Sequence, residues 1–239
     1  MYYRVFSLVE IQSTFYKLPR ESTVQRWREA APSNFEFVVK AWQVITHPPS
    51  SPTWRRARLT VNAAEAARYG YLQPTAENFE AFSRTLDLCK ILQTRVCLIQ
   101  CPPSFQAVRV NVRNLEHFLT KIDRRRLIVA WEPRGTWLAK PQLIRKLCDR
   151  LGIVHVVDLL RRDPASSGGL VYCRLHGLGD REVNYKYRYT DDDLRRLAGK
   201  LLALENAGCQ EAYILFNNVS MFENAKRFSK LISRSLACA

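Results

Sequence analysis

The sequence predicts an α/β fold of the TIM type, a parallel (β/α) barrel. Short apolar runs alternate with longer segments of helical periodicity, which is the pattern of repeated βα units. The runs are apolar at successive positions, as expected of strands that are covered by helices. The length of 239 residues is close to the roughly 250 residues of one such barrel, so we expect residues 1–239 to form a single domain.

Apolar runs predict seven recognisable strands, at 8–11, 35–39, 96–99, 127–131, 153–157, 171–175 and 212–216. Helices are predicted at 20–31, 53–69, 75–94, 111–123, 140–151, 190–207 and 219–236. Thr190 can cap the helix that follows it, Asp193 stands three residues later, and Gly208 follows the last turn. Pro141 suits the first turn of another helix.

The composition excludes several classes of protein. With 47% hydrophobic and 25% charged residues, the chain is too apolar to be intrinsically disordered. No apolar run approaches the roughly 18 to 20 residues that a membrane span requires. The segment from Met1 to Leu8 lacks the features of a signal peptide. We therefore expect a soluble, cytoplasmic protein.

The chain is strongly basic, with 37 basic and 22 acidic residues and a formal net charge of +15. Such a field attracts phosphate-bearing partners, including nucleic acid. Arginine clusters or pairs at 55–58, 124–126, 161–162 and 195–196 fit either that role or an ordinary solvated surface. The Ser- and Gly-rich stretch at 161–169 is expected to be a mobile loop.

Seven cysteines show no Cys-x-x-Cys pair and no histidine at zinc-finger spacing. A structural zinc site is therefore not expected. Several cysteines lie inside apolar runs, where a free thiol behaves as a small hydrophobe, so we expect a reduced core. If the source organism is a hyperthermophile, an intracellular disulfide is an alternative.

A polar residue stands at the end of every apolar run, in the order Gln12, Lys40, Gln100, Glu132, Asp158, His176 and Asn217 with Asn218. In a parallel barrel the carboxyl ends of the strands converge on one rim, where such barrels carry their active sites. Alternatively, the ionisable groups pair with each other and only fill the interior. Their number favours an open, substrate-receiving mouth, since burying each one unpaired costs several kcal/mol.

Three carboxylates are the candidate catalytic groups: Glu132, Asp158 and Glu10. Glu132 and Asp158 end neighbouring strands and could act as general acid and base if burial separates their pKa values. The alternative for Glu132 is a structural ion pair with Arg134 or Lys40. Glu10 adds a third carboxylate, which makes a glycosidase-like pair conceivable.

Cations, amides and an aromatic side chain near the same strand ends are the candidate substrate-binding residues. They are Lys40, His47, Gln100, Arg134, Arg174, His176, Tyr187, Asn217 and Asn218. The three cations favour a phosphate or carboxylate group on the substrate. The aromatic groups could stack a sugar or base, or simply line a pocket. The cofactor is unknown: a divalent metal is conceivable, but no ligand spacing supports it and no metal ligands are assigned.

Several motifs occur along the chain in a characteristic order: Val9–Tyr16, Lys40-Ala41, Ile45–His47, Gln100–Phe105, Arg174–Gly177 and Phe216–Asn218, with Asn224-Ala225. Through these motifs the sequence resembles the YecE-like family, the domain of unknown function numbered 72, over nearly its whole length. The resemblance implies a TIM-type barrel with a polar pocket at its mouth. It implies no agreed activity.

The sequence departs from that family in two places. Members usually open with a Gly-Thr-Ser-Gly-Trp strand well before the Val-Glu-Ile segment, and this first strand is expected to be missing here. The family commonly has an aromatic residue, Arg and His after the position of Glu132, where this chain has Pro133, Arg134 and Gly135. This chain therefore lacks the function of that family histidine, or His47 or His176 performs it.

We expect an enzyme of hydrolase or lyase type that acts on an anionic substrate, such as a phosphate- or carboxylate-bearing sugar or nucleotide. The alternative is a nucleic-acid-binding or DNA-repair-type protein that uses its basic surface. A non-catalytic scaffold is a third possibility. No membrane association is expected, and the oligomeric state stays open.

Overall fold

The structure is a computed structural model that describes residues 2–124, 126–165 and 168–236. The chain forms two compact units, which divide between Ile153 and Val154. We call them the amino-terminal unit and the carboxyl-terminal unit and describe each by itself. Of the sequence predictions, those that concern Arg125, Ser166, Ser167 and Cys238 lie outside the described residues.

The amino-terminal unit contains four strands that pair in parallel and in chain order. They are β1 (Leu8–Ile11), β2 (Glu36–Lys40), β3 (Val96–Gln100) and β4 (Ile128–Glu132). Its helices are α1 (Ser13–Tyr16), α2 (Glu21–Ala30), α3 (Pro52–Arg56), α4 (Ala63–Ala66), α5 (Ala76–Leu92), α6 (Arg109–Lys121) and α7 (Pro141–Leu151). Short 3-10 turns lie at Tyr2–Arg4, Gln43–Ile45 and Gly135–Ala139.

The carboxyl-terminal unit contains three strands that also pair in parallel and in chain order. They are β5 (Val154–Val157), β6 (Leu170–Leu175) and β7 (Glu211–Phe216). Its helices are α8 (Asp191–Asn206) and α9 (Met221–Leu236). The predicted α/β fold of the TIM type is confirmed, because all seven strands begin and end within one residue of the predicted bounds and helices separate nearly all consecutive strands. The exception is the connection from β5 to β6, whose described residues contain no helix.

The helix predicted over 53–69 is wrong, because the structure has two short helices there, α3 and α4. The break begins at Arg58, whose φ of 54° lies in the left-handed region and cannot continue a right-handed helix. A new helix then begins at Asn62, whose side chain accepts a hydrogen bond from the backbone N–H of Glu65. Asn is a favourable N-cap because its side chain satisfies an otherwise unpaired amide.

Strand register places four predicted site residues on one face of the amino-terminal sheet. Even-numbered residues pair with even-numbered residues throughout β1 to β4, and side chains alternate between the two faces of a strand. The even-numbered Glu10, Lys40, Gln100 and Glu132 therefore point to the same side. The odd-numbered Cys97 lies in hydrogen-bonding contact with Cys89 of α5, so helices cover the opposite face.

The same division holds in the carboxyl-terminal sheet. One face packs Val157, Cys173, Leu175 and Phe216 against Leu194 and Leu197 of α8 and Phe228 of α9. Arg174 pairs with Leu215 on the other face. Tyr172 and Tyr213 pair on that same face, where their rings stack. The polar strand-end residues of this unit thus lie on the face turned away from α8 and α9.

Helix ends follow the predicted chemistry. Thr190 and Asp193 form a capping box at the start of α8, and Pro141 opens α7. The cysteines among the described residues are free thiols. Among the described residues, none of the helices has the length and apolar character needed to cross a membrane.

Candidate functional site

The predicted site residues fall into two groups, one in each unit. The amino-terminal unit holds Glu10, Lys40, His47, Gln100, Glu132 and Arg134. The carboxyl-terminal unit holds Asp158, Arg174, His176, Tyr187, Asn217 and Asn218. The prediction that Glu132 and Asp158 act as acid and base on one substrate joins residues of different units and stays a prediction.

Lys40 is a buried cation at the carboxyl end of β2, 6% exposed. Its Nζ donates a hydrogen bond to Oε1 of Gln12 over 3.2 Å, and the amide of Gln12 donates in turn to the carboxylate of Glu10. The hydroxyl of Thr14 donates to the carbonyl of Lys40 over 2.7 Å. The ammonium group is therefore linked to a carboxylate through an amide, which holds it in place on the polar face of the sheet.

Phe15 separates Lys40 from His47. Nζ of Lys40 lies 4.2 Å from the centroid of the Phe15 ring, a distance at which the negative face of the ring attracts a cation. The same ring packs edge-to-face against His47, with centroids 5.0 Å apart. Phe15 thus supplies an apolar wall between two polar groups.

His47 is neutral at physiological pH. Burial lowers its pKa from 6.5 to about 3, and the positive charges of Lys40 and Arg134 act in the same direction, while Glu132 opposes them. Because a charge must lie close to a group to shift its pKa, these three side chains from β2, β4 and the loop after β4 lie near enough to the imidazole for their charges to act on it. The structure therefore brings together four residues that the sequence predicted for a site.

Thr46 lies beside the ring of His47. Its hydroxyl is 2.8 Å from Nδ1 of His47 and 3.4 Å from the carbonyl of Gln43. The contact with Nδ1 holds the buried imidazole in place. Sequence reasoning did not assign a role to Thr46, although it lies in the Ile45–His47 motif.

Glu132 and Arg134 form an ion pair at the end of β4. Both Nε and Nη2 of Arg134 contact Oε1 of Glu132, over 2.8 Å and 2.6 Å. The side chains are 7% and 18% exposed. The ion pair considered as the alternative for Glu132 is thus present, and its catalytic role stays a prediction. A nearby guanidinium favours the ionised carboxylate, which is the form that can accept a proton.

Asp158 organises the loops of the carboxyl-terminal unit. Its two carboxylate oxygens accept hydrogen bonds from the backbone N–H groups of Leu160 and His176, each over 3.1 Å. Burial raises the pKa of Asp158 above 3.8, while these two bonds, the charge of His176 and that of Arg161 act in the opposite direction. The carboxylate therefore joins the end of β5 to the end of β6.

His176 and Asn217 meet at the ends of β6 and β7. The Nδ2 group of Asn217 lies 3.1 Å from Nδ1 of His176. This contact joins the end of β6 to the end of β7. Arg174, two residues earlier on β6, is 1% exposed and shares this face.

Two of the predicted substrate-binding residues make structural contacts. The hydroxyl of Tyr187 donates to Oδ2 of Asp193 at the start of α8 over 2.7 Å. The side-chain amide of Asn218 donates to the carbonyl of Tyr187 over 2.7 Å. Both contacts fix the segment after β6, and a substrate-binding role for Tyr187 and Asn218 stays a prediction.

Arg161 is a residue that sequence reasoning missed, because it was interpreted as half of a surface arginine pair. Its guanidinium donates to the carbonyls of Gly177, Gly179 and Arg181 over 2.6 to 3.3 Å and lies 3.9 Å from Asp158. Nothing in an Arg-Arg pair signals such a role. Arg161 holds the loop after β6 against the end of β5.

No three His, Cys, Asp or Glu side chains come together as a possible metal site within residues 2–124, 126–165 and 168–236. The three residues whose charges act on His47 are two cations and one carboxylate, and this donor set does not suit a divalent cation.

Comparison with known proteins gives relatives over nearly the whole chain. It is 24% identical over 259 residues to the UPF0759 protein YunF of Bacillus subtilis (strain 168), with 95% of this chain and 83% of YunF covered. A solved DUF72 family protein from Thermotoga maritima MSB8 has a TM-score of 0.70 at 24% identity, covering 95% of this chain and 85% of that one. Another, from Enterococcus faecalis V583, has a TM-score of 0.69 at 20% identity, covering 97% and 92%.

At these identities the solved structures show a shared fold and nothing about activity. The family model described as "Protein of unknown function DUF72" matches residues 1–237, in agreement with the motifs and with the strand order. This chain therefore belongs to the DUF72 family of proteins of unknown function.

Proposed function

We propose that the protein is an enzyme of hydrolase or lyase type that binds the phosphate or carboxylate group of its substrate beside His47. The observation that carries this proposal is the buried, neutral His47 with Lys40, Arg134 and Glu132 acting on it. Such a grouping of unlike charges on one face of a sheet is costly to bury for packing alone.

The charges favour an anionic group. Of the three ionic side chains that act on His47, Lys40 and Arg134 are positive and only Glu132 is negative. Arg134 offers a planar set of N–H donors that fits phosphate and carboxylate oxygens, and Lys40 offers a compact ammonium group. Lys40 is held by Gln12, so little side-chain entropy is lost when it binds an oxygen.

The site also contains groups that can handle protons. Glu132 is held in its ionised form by Arg134 and can take a proton from a substrate hydroxyl or a water molecule. His47 has a pKa of about 3, too low for a general base at neutral pH. The neutral imidazole instead orients a polar group of the substrate through a hydrogen bond.

Ligand screening followed by kinetics tests this proposal. Thermal shift against a panel of sugar phosphates, nucleotides and carboxylates should identify stabilising anions, because a ligand that binds the folded state raises the melting temperature. Glu132→Gln should retain that shift and lose turnover of the hit. Glu29→Gln changes an exposed carboxylate on α2 and should change neither.

The proposal fails if no anion in the panel stabilises the protein, or if Lys40→Met and Arg134→Gln leave the shift unchanged. A second failure is a Glu132→Gln variant that turns the hit over at the wild-type rate. A loss of fold in Glu132→Gln, with no anion bound by the wild type, would support the interpretation of the cluster as a structural filler.

We also propose a cytoplasmic location. The supporting observation is that the described cysteines, among them the neighbouring Cys89 and Cys97, are free thiols. Thiols stay reduced in a compartment buffered by cellular reductants. Fractionation of cells that express the tagged protein would test this.

A further inference from the structure

Two segments of the amino-terminal unit are rich in basic residues and contain no acidic ones. Residues 11–20 and 37–64 contain no Asp or Glu, although they include Lys17, Arg20, Lys40, Arg55, Arg56 and Arg58. In the fold, α1 packs against α3, and the turn at Gln43–Ile45 packs against α3 and α5. These segments therefore contribute to one continuous surface.

Most other arginine pairs or clusters are already committed to partners. Arg124 donates to the carbonyls of Leu151 and Gly152 at the end of α7. Among the other pairs, ion pairs form between Arg162 and Glu182, Arg195 and Asp192, and Arg196 and Asp193. In contrast, Arg55, Arg56 and Arg58 form no ion pair with any residue that the structure describes. Their charge is therefore available to an external anion.

Two exposed arginines of this surface already stack on aromatic rings. The guanidinium of Arg56 lies 5.7 Å from the centroid of Tyr16, and that of Arg84, on α5, lies 5.1 Å from the centroid of Trp42. Both rings are half-buried. Stacking fixes the guanidinium plane and leaves its N–H edge able to reach phosphate oxygens.

We propose that this basic-aromatic surface, formed by Tyr16, Trp42, Arg55, Arg56, Arg58 and Arg84, binds single-stranded nucleic acid. Phosphates contact the guanidinium groups, and unpaired bases stack on the rings and on the guanidinium planes. A duplex keeps its bases stacked on each other and offers only its phosphates to the arginines. The proposal is independent of the anion site beside His47.

Fluorescence anisotropy with a labelled oligothymidylate of about 20 nucleotides and a duplex of the same length tests the proposal. Four arginines on phosphates predict a slope of log Kd against log salt of about 3 for the single strand, from about 0.7 per contact. The double variant Arg56→Gln, Arg84→Gln should lower that slope by about half. The double variant Arg109→Gln, Arg113→Gln is an equal charge change at exposed positions of α6 and should leave the slope within about 0.3 of the wild type.

The aromatic contribution is tested at constant salt. Trp42→Leu should weaken binding of the oligothymidylate by about five- to 150-fold without changing the salt slope, since stacking releases no counterions. If Trp42→Leu lowers the melting temperature, Arg84→Lys takes its place, because it keeps the charge and removes the flat guanidinium. Either variant should lower the ratio of the Kd for the duplex to the Kd for the single strand.

Several outcomes would overturn the proposal. One is no binding of the oligothymidylate at about 50 mM KCl, where phosphate contacts are strong. Another is an equal fall of the salt slope in the α6 control variant and in the double variant Arg56→Gln, Arg84→Gln, which would show an unspecific field. Tighter binding to phosphatidylserine vesicles than to the oligothymidylate would assign the surface to membranes.

Discussion

The neutral, buried imidazole of His47 makes the stability of the amino-terminal unit sensitive to acid. Its pKa is about 3 in the folded state and about 6.5 in an unfolded chain. Between these values the unfolded chain binds a proton that the folded chain does not. The contribution of His47 to the free energy of unfolding is therefore fully present above about pH 6.5 and is lost as the pH falls toward 3.

The size of this effect follows from the shift. At about 1.4 kcal/mol per pKa unit, the full difference is roughly 5 kcal/mol, of which roughly 2 kcal/mol is lost by pH 5. His47 is 4% exposed, so solvent screening reduces these figures little. A loss of this size is a substantial part of the stability of an ordinary domain.

Tryptophan fluorescence can follow the amino-terminal unit alone, because every tryptophan of the chain precedes Ile153. Urea unfolding at about pH 7.5 and pH 5 gives the free energy of unfolding at each pH. We expect this free energy to fall between the two pH values by roughly 2 kcal/mol more in the wild type than in His47→Asn. Asn keeps a polar amide group beside Thr46 and removes the titrating ring.

The control is His117→Asn, which changes an exposed histidine on α6 that meets water in both states. It should retain the wild-type difference between the two pH values. If the wild type and His47→Asn lose equal stability between pH 7.5 and 5, then the imidazole is not held neutral, and the electrostatic argument for the site is wrong.

Three further predictions concern the loops of the carboxyl-terminal unit and are checked by denaturation followed by circular dichroism. Asp158→Ala leaves two buried backbone amides without an acceptor and should lower the free energy of unfolding by about 2–6 kcal/mol. The control Asp163→Ala removes an exposed ion pair and should lower it by under about 1 kcal/mol. Equal losses in the two variants would contradict the role of Asp158 in joining the ends of β5 and β6. Tyr189→Phe removes the hydroxyl that accepts from the N–H of Gly177 over 2.6 Å and should cost about 1–3 kcal/mol, so an unchanged stability would be evidence against it. Gly177→Ala should lower the free energy of unfolding more than Asp158→Ala or Tyr189→Phe does, because its Cβ would lie 2.1 Å from the carbonyl oxygen of Asn184 at a φ of +85°. A variant as stable as the wild type would refute this close approach.

The strands could be predicted from sequence because their signal is local. Runs such as Val96–Ile99 are apolar at every position, and only a strand covered by helices buries such a run. The predicted helix over 53–69 failed because its apolar spacing is helical on average, while the left-handed Arg58 and the cap at Asn62 interrupt it. Caps and turns depend on single residues and compete with periodicity.

The site could be predicted only in part. Polar residues at strand ends share a face because the parallel register and side-chain alternation require it, as for Lys40 and Glu132. Hydrogen-bond partners that depend on loop conformation could not be predicted from a sequence pattern of this kind. The contact of Thr46 with His47 and the three carbonyls around Arg161 come from loop conformations that the residue types do not specify.

Anomalous scattering from crystals soaked in tungstate, a heavy analogue of phosphate, tests the central proposal most directly. We expect a tungsten peak whose oxygens lie about 3 Å from Nζ of Lys40 and from the guanidinium of Arg134, and its loss in Lys40→Met. Peaks confined to other arginines, with none beside His47, would contradict the assignment of this cluster as the anion site.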